Sequence, residues 1–223
     1  PGGIGTCTEL WPYWNGASMS YSAAPAIAWI GLTVDPTSTS APTRPTVLLG
    51  DSFFGSYASW VGWGNAQAGA PLVPVNNAGV GGQQVDAMTA RIGTDVAPYA
   101  PEVVILHGGT NDIAGSVSTA TMQARYTAAL DALLALPSVE TVVVCTPPPQ
   151  TGITGGEIAV LSAVRAWLLA LNRAGVVVAD TGMAMSTGDG ITSDAAKRVD
   201  TVHPNAVGAQ AMADVIDGVL AAL

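Results

Sequence analysis

Positive charge is scarce in this chain. Among 223 residues there are seven lysines and arginines together, Lys197 being the one lysine, against 16 acidic residues, which leaves a net charge of −9. Nucleic acid and anionic membrane surfaces both need clustered basic side chains, so neither is expected as a partner. Long apolar runs are missing too. None approaches the roughly 20 residues that a membrane-spanning helix requires, and none near the N-terminus resembles the apolar centre of a signal peptide. The chain begins at Pro1 rather than Met, which fits a removed leader, and a secreted or extracellular protein is the expectation. Cysteine is limited to Cys7 and Cys145. Thiols so far apart, with no CxxC pair, make no metal or redox motif. Either they pair in an exported protein, tying the N-terminal segment to the core, or Cys145 is a small buried apolar residue. Nucleotide-binding signatures are lacking as well: Gly79-x-Gly81 would need a further glycine where Gln84 stands, and there is no P-loop.

What the chain does have is small and apolar residues, with 49% hydrophobic content and 26 glycines, enough for one substantial core. Residues 1–45 are rich in Gly, Ser, Thr and Pro and carry Trp11, Tyr13, Trp14, Tyr21 and Trp29 without a sustained helical period. We read them as an N-terminal extension packed on a main domain of residues 46–223; aromatics of this kind either pack on their own domain or stack on sugar rings. From Thr46 onward, short β-branched runs alternate with longer Ala-rich segments. The strand candidates are Thr46–Leu49, Leu72–Asn76, Val103–Leu106, Thr141–Cys145 and Val176–Ala179. Helical stripes are formed by Met122, Tyr126, Leu130, Leu133 and Leu134, by Ile158, Leu161, Val164, Leu168 and Leu171, and by Met212, Val215, Ile216, Val219, Leu220 and Leu223. Strands apolar along their whole length imply a parallel sheet covered on both faces. The fold class is therefore α/β, a three-layer doubly wound sheet of five parallel strands in the flavodoxin-like order 2-1-3-4-5. Pro74 fits the edge place that this order gives the second strand.

In such a sheet ligands settle at the carboxyl ends of strands 1 and 3, where the strand order reverses. Strand 1 runs into Gly50-Asp51-Ser52 and then into a stretch able to form a helix. Ser52 there is either an N-cap or a nucleophile, since unpaired first-turn N–H groups would stabilise an alkoxide or an adjoining oxyanion. Strand 3 runs into His107-Gly108-Gly109-Thr110-Asn111-Asp112, in which the Asn111 amide offers an oxyanion donor. Strand 2 leads to Asn77-Ala78-Gly79-Val80-Gly81-Gly82-Gln83, a turn able to present backbone N–H groups. The chain has two histidines. His107 ends a buried strand and reads as structural. His203, in Asp200-Thr201-Val202-His203-Pro204, reads as the general base, with Asp200 close enough along the loop to hold its Nδ1–H.

Taken together and in order, these turns resemble the SGNH, or GDSL-type, hydrolase family. Gly50-Asp51-Ser52 matches the family's first block, Asn77 to Gly82 its second, Gly109 to Asp112 its third, and Asp200 to Pro204 its last. Phe53 stands where leucine is usual, and Gly81 where a serine often precedes the second-block glycine. The resemblance implies a serine esterase acting on carboxylic esters, with short acyl or acetyl groups on small molecules or carbohydrates as substrates. Ser52 would be the nucleophile, His203 and Asp200 its base and orienter, and the Ser52 N–H, the Gly82 N–H and the Asn111 amide the oxyanion hole. It implies no metal and no organic cofactor. The competing reading is a carbohydrate-binding or adhesive module that keeps the hydrolase fold, and the intact Ser/Gly/Asn/Asp/His set weighs against it. Nothing in the sequence bears on oligomeric state.

Overall fold

The computed structural model describes residues 44–55 and 73–223. The expectations for the Trp-bearing extension, for Cys7 and for a helix continuing beyond Gly55 lie outside these residues. Strands β1 (Pro45–Gly50), β2 (Val73–Gly79), β3 (Val103–His107), β4 (Thr141–Cys145) and β5 (Val176–Ala179) form one sheet in the order β2-β1-β3-β4-β5. Every pairing is parallel, as the unbroken apolar runs require. Alternate residues feed opposite faces. Val47, Leu49, Val104, Leu106, Val142 and Val144 belong to one core cluster, while Leu48, Val103, Ile105, Val143 and Cys145 belong to the other.

Helices cover both faces. On the first lie α2 (Val85–Ala90), α5 (Thr119–Leu134) and α6 (Gly155–Leu169), packing Met88, Met122, Tyr126, Leu130, Leu133, Leu161, Val164 and Leu168 onto the sheet. On the second, Ile216 of α8 (Ala206–Leu220) is buried, with Val215, Val219 and Leu220 partly so. Short turns of helix, α1 (Ser52–Gly55), α3 (Ile92–Asp95), α4 (Thr110–Ala114) and α7 (Thr181–Ala184), follow strands or other helices. The long helices start where their caps stand: Ser118 accepts from Thr121 N–H, Thr154 and Glu157 form a reciprocal capping box, and Asn205 accepts from Val207 and Gly208 N–H.

Three details differ from the sequence reading. β2 runs on to Gly79 instead of stopping at Asn76, because an edge strand needs no apolar partner on its outer side and Asn77 serves its own backbone: its Nδ2 donates to the Phe54 carbonyl at 3.0 Å and its Oδ1 accepts from Gly79 N–H at 3.1 Å. The β1–β2 register also slips at this edge, with Thr46 opposite Pro74 and Val47 opposite Asn76, as expected beside a residue that cannot donate. The stripe ends differ: Ile158 is exposed, Leu223 lies beyond α8 and is exposed, and Leu171 lies beyond α6 but still packs partly buried against the core. Cys145 is a free, fully buried thiol at the end of β4, pushed well above the ordinary cysteine range by burial.

The third detail is a polar residue on the buried side of α8. Asp217 is 7% exposed, and among the described residues neither carboxylate oxygen has a hydrogen-bond partner. Burial first, and the charge of Asp214 second, push it up to about 6 from an ordinary 3.8. A folded-state value above the unfolded one means that the carboxyl is neutral in both states at low pH. Between the two values the unfolded chain ionises first, so stability falls as pH rises through this window and levels off above it. Asp217→Asn should therefore stabilise the protein by about 1–2 kcal/mol near pH 7 and change little near pH 4. Urea midpoints at the two pH values test this; an equal effect at both would count against it.

Candidate active site

The first corner of the site is set by crowding. A Cβ on Gly50 would lie 2.7 Å from the Phe54 ring and 2.8 Å from the His107 carbonyl oxygen, so β1 can end here only with glycine. Asp51 is fully buried and does the capping: its Oδ1 accepts from Phe53 N–H at 3.0 Å, and its carbonyl accepts from Phe54 and Gly55 N–H at 3.2 and 2.9 Å. The two sequence readings of Ser52 are thereby separated, since the cap is its neighbour. The Ser52 hydroxyl instead meets the ring of His203, Oγ to Nε2 at 2.8 Å across 151 positions of sequence.

His203 sits on a loop tied back on itself. Asp200 Oδ1 accepts from the N–H groups of Val202 and His203 at 2.7 and 2.6 Å, and Asp200 Oδ2 lies 2.8 Å from His203 Nδ1. Burial works against the Asp200 charge, but the bonds from His203 and Val202 outweigh it and hold the carboxyl below the usual range. The loop is also gripped from behind: Arg198, 8% exposed, donates to the carbonyls of Val202 and Pro149. Thr151 N–H adds a bond to the Thr201 carbonyl at 3.0 Å.

Facing Ser52 are the turns after β2 and β3. Gly82 has a φ of +77°, a conformation only glycine adopts without strain, and Gly81 lies close enough that a Cβ there would be 3.9 Å from Ser52 Cβ. Asn111, in α4, points its Nδ2 at the Gln83 carbonyl at 3.0 Å, with Asp51 Oδ2 at 3.4 Å. Among the described residues the backbone N–H groups of Ser52 and Gly82 have no protein acceptor. The structure thus brings Ser52, Asp200 and His203 into one hydrogen-bonded line, with Gly82 and Asn111 on the turns alongside. Such a line can move a proton from a hydroxyl to an imidazole, and free N–H donors beside the hydroxyl can hold a developing negative oxygen.

His107 is placed differently. It is fully buried at the end of β3, its ring stacked on Phe53 with centroids 4.5 Å apart and 29° between planes. Its Nδ1 is 3.4 Å from Asp51 Oδ1, within ion-pair range but without hydrogen-bond geometry. Among the described residues no group of three or more His, Cys, Asp or Glu could hold a metal ion, and no helix is long and apolar enough to cross a membrane.

The turns that carry Ser52 and Asn111 lie at the switch point of the doubly wound sheet, between β1 and β3. Residues 48–211 match the model of the GDSL-like Lipase/Acylhydrolase family, and the chain belongs to that family. Among curated proteins none matches the chain. Solved structures do. A carbohydrate esterase family 3 protein from Talaromyces cellulolyticus is 26% identical with a TM-score of 0.60, over 78% of this chain and 95% of that one. An acetyl esterase variant holding acetate ion is 25% identical with a TM-score of 0.59, over 78% and 95%. A lipase/acylhydrolase from Enterococcus faecalis, at 22% identity and a TM-score of 0.61 over 79% and 94%, shares the fold.

The sequence reading missed the residues that support these turns. Arg91, Gln83, Gln84, Arg125 and Arg198 belong to no motif, but the scarcity of cations was a usable signal: in so acidic a chain an arginine inside an apolar stretch has a specific acceptor to reach.

His107 yields a test that separates packing from chemistry. His107→Asn should cost about 1–3 kcal/mol of stability through lost ring contacts and leave kcat within about threefold. Denaturant titration and steady-state kinetics on the same sample check both. A loss of activity with stability intact would give His107 a chemical role.

Proposed function

We propose that this chain is a serine esterase that hydrolyses carboxylic esters carrying short acyl groups, acetyl esters of carbohydrates among them. The observation that carries the proposal is the 2.8 Å contact of Ser52 Oγ with His203 Nε2, continued at 2.8 Å from His203 Nδ1 to Asp200 Oδ2. Ser52 Oγ attacks the ester carbonyl as His203 Nε2 takes its proton, and Asp200 holds the ring and balances the imidazolium. The carbonyl oxygen becomes negative and is held by the backbone N–H groups of Ser52 and Gly82 and by the Asn111 amide. Collapse of the tetrahedral adduct expels the alcohol, which leaves with the proton from His203. Water then attacks the acyl-Ser52 ester with His203 again as base, releasing the acid and restoring the hydroxyl. The carbohydrate esterase and acetyl esterase likenesses support the choice of acyl group and alcohol.

Ser52→Ala should abolish hydrolysis of an aryl acetate and leave the fold unchanged, because the Ser52 hydroxyl caps no helix in this fold. A fluorophosphonate should label the native protein at Ser52 alone. Labelling elsewhere, or hydrolysis by the alanine variant, would overturn the assignment. Asn111→Ala should lower kcat by about 10²–10³ with little change in KM, since the amide acts on the oxyanion more than on the bound ester. A twofold drop would reduce Asn111 to a turn residue. Initial rates on acetylated xylosides against longer-chain aryl esters test the acyl and alcohol preference, and a rate rising with chain length would remove the acetyl assignment.

A further inference from the structure

Two of the three donors assigned to the oxyanion hole depend on neighbours for their aim. Gly82 carries no side chain, and a Cβ there would meet nothing within 4 Å. Asn111 ends in an amide that can turn about its last bond. Gln83, the residue after Gly82, reaches the Asn111 amide as well. Its main-chain carbonyl accepts from Asn111 Nδ2 at 3.0 Å, the shorter of that nitrogen's two bonds, the other running to Asp51 Oδ2 at 3.4 Å. Its side-chain Oε1 accepts from Arg91 Nε at 2.7 Å.

Arg91 is in turn held on every side. Its side chain is 12% exposed, Nη1 donates to Asp95 Oδ2 at 2.7 Å, and Nη2 donates to the Gly50 carbonyl at 2.9 Å. That carbonyl belongs to the last residue of β1, two positions before Ser52, and it also accepts from Val80 N–H at 3.0 Å. One planar guanidinium therefore spans the end of β1 and the turn after β2, and Gln83 carries the connection on to the turn after β3. A lysine could not do this, since an ammonium lacks the fixed fork that meets three acceptors in one plane.

We propose that Gln83 and Arg91 are positioning residues of the oxyanion hole: Arg91 pins Gln83 against the end of β1, and the Gln83 carbonyl aims the Asn111 amide. The proposal rests on the esterase reading and goes beyond it, because neither residue touches the ester. Their effect is confined to how well the negative oxygen is held. They should change the transition state and leave the ground-state complex nearly alone.

The test uses Gln83→Met, which keeps length but removes the acceptor, and Arg91→Lys. Active enzyme is counted by fluorophosphonate titration, so that a misfolded fraction does not enter kcat. With an aryl acetate, kcat per titrated site should fall about 10–100-fold in each variant while KM stays within about threefold. Binding of phenylboronic acid, whose tetrahedral adduct on Ser52 places an oxygen in the hole, should weaken by a similar factor. Adding Gln83→Met to Asn111→Ala should cost less than about threefold more, because the two share one path. Should Arg91→Lys fail to fold, Gln83→Met leaves the bonds of Arg91 to Gly50 and Asp95 in place and decides the matter alone. Native kcat per titrated site in Gln83→Met while Asn111→Ala is impaired, or full additivity in the double variant, would overturn the proposal and leave the esterase reading standing. An inactive and unlabelled wild type would instead remove the esterase reading, and this one with it.

Discussion

Gly50 stands in register with Gly79 on one side and His107 on the other, and the ring of Phe54 fills the space where its side chain would be. The chain cannot continue as a strand with a side chain here, so it turns, and the turn gives each following residue one direction. Asp51 goes inward, Phe53 and Phe54 go into two separate core clusters, and Ser52 between them is left partly exposed against His203. Each buried phenylalanine contributes about 1.5–3 kcal/mol, more than the ~1 kcal/mol of the cap made by Asp51. Apolar burial therefore sets the turn, and the hydrogen bonds refine it. The hydroxyl of Ser52 keeps its position because its neighbours are immobilised, without needing a strong bond of its own.

The few cations are used in the same spirit. Arg125 reaches Asp112 at 2.6 Å and Asp86 at 2.7 Å, and it donates to Gln84, whose Nε2 donates in turn to the Asn111 carbonyl. Burial still pushes the Asp112 carboxyl up, with the bonds from Arg125 and Val85 working against it. Arg165 chelates Asp180 at 3.0 and 2.5 Å; burial opposes that charge too, but Arg165 and Thr146 win and hold it below the usual range. Removing one partner of a buried pair leaves an uncompensated charge, a loss of about 3–5 kcal/mol. A chain with so few basic residues has placed Arg91 and Arg198 against the turns that carry the site residues, and Arg125 in the network that reaches the Asn111 carbonyl through Gln84.

The architecture was legible because it rests on periodicities that survive in one dimension. β-branched runs of Val103–His107 and Thr141–Cys145 announce buried parallel strands, and the stripe through Met122, Tyr126 and Leu130 announces its helix. The turns bearing Ser52, Asn111 and His203 were legible because their residue types are chemically unusual together. What stayed hidden depends on contacts between distant segments. Nothing local marks Arg91 as the neighbour of Gly50, 41 positions away, or Asp217 as the polar residue of an apolar helix face. The extension of β2 past Asn76 through Asn77 defeated the apolar-run rule, since at an edge an amide can bond both its own strand and the neighbouring turn.

The two halves of the site are built to different tolerances, and chemistry gives the reason. The hydroxyl and the turns facing it stand on or beside the sheet, where an error of a fraction of an ångström would misplace donors whose effect is confined to a short-lived oxygen anion. His203 stands on a loop, where in the proposed reaction it would take a proton and then return it. What that loop needs is a persistent negative partner on the far side of the ring. Asp200 meets the need because its backbone bonds, made within four residues of chain, keep the carboxyl ionised against the cost of burial. Those bonds also close the loop that carries the ring, so one carboxylate supplies both the charge and the shape. Asp51, the other carboxylate nearby, is held differently: its Oδ1 faces Phe53 N–H and the buried ring of His107, while its Oδ2 accepts from the Asn111 amide at 3.4 Å.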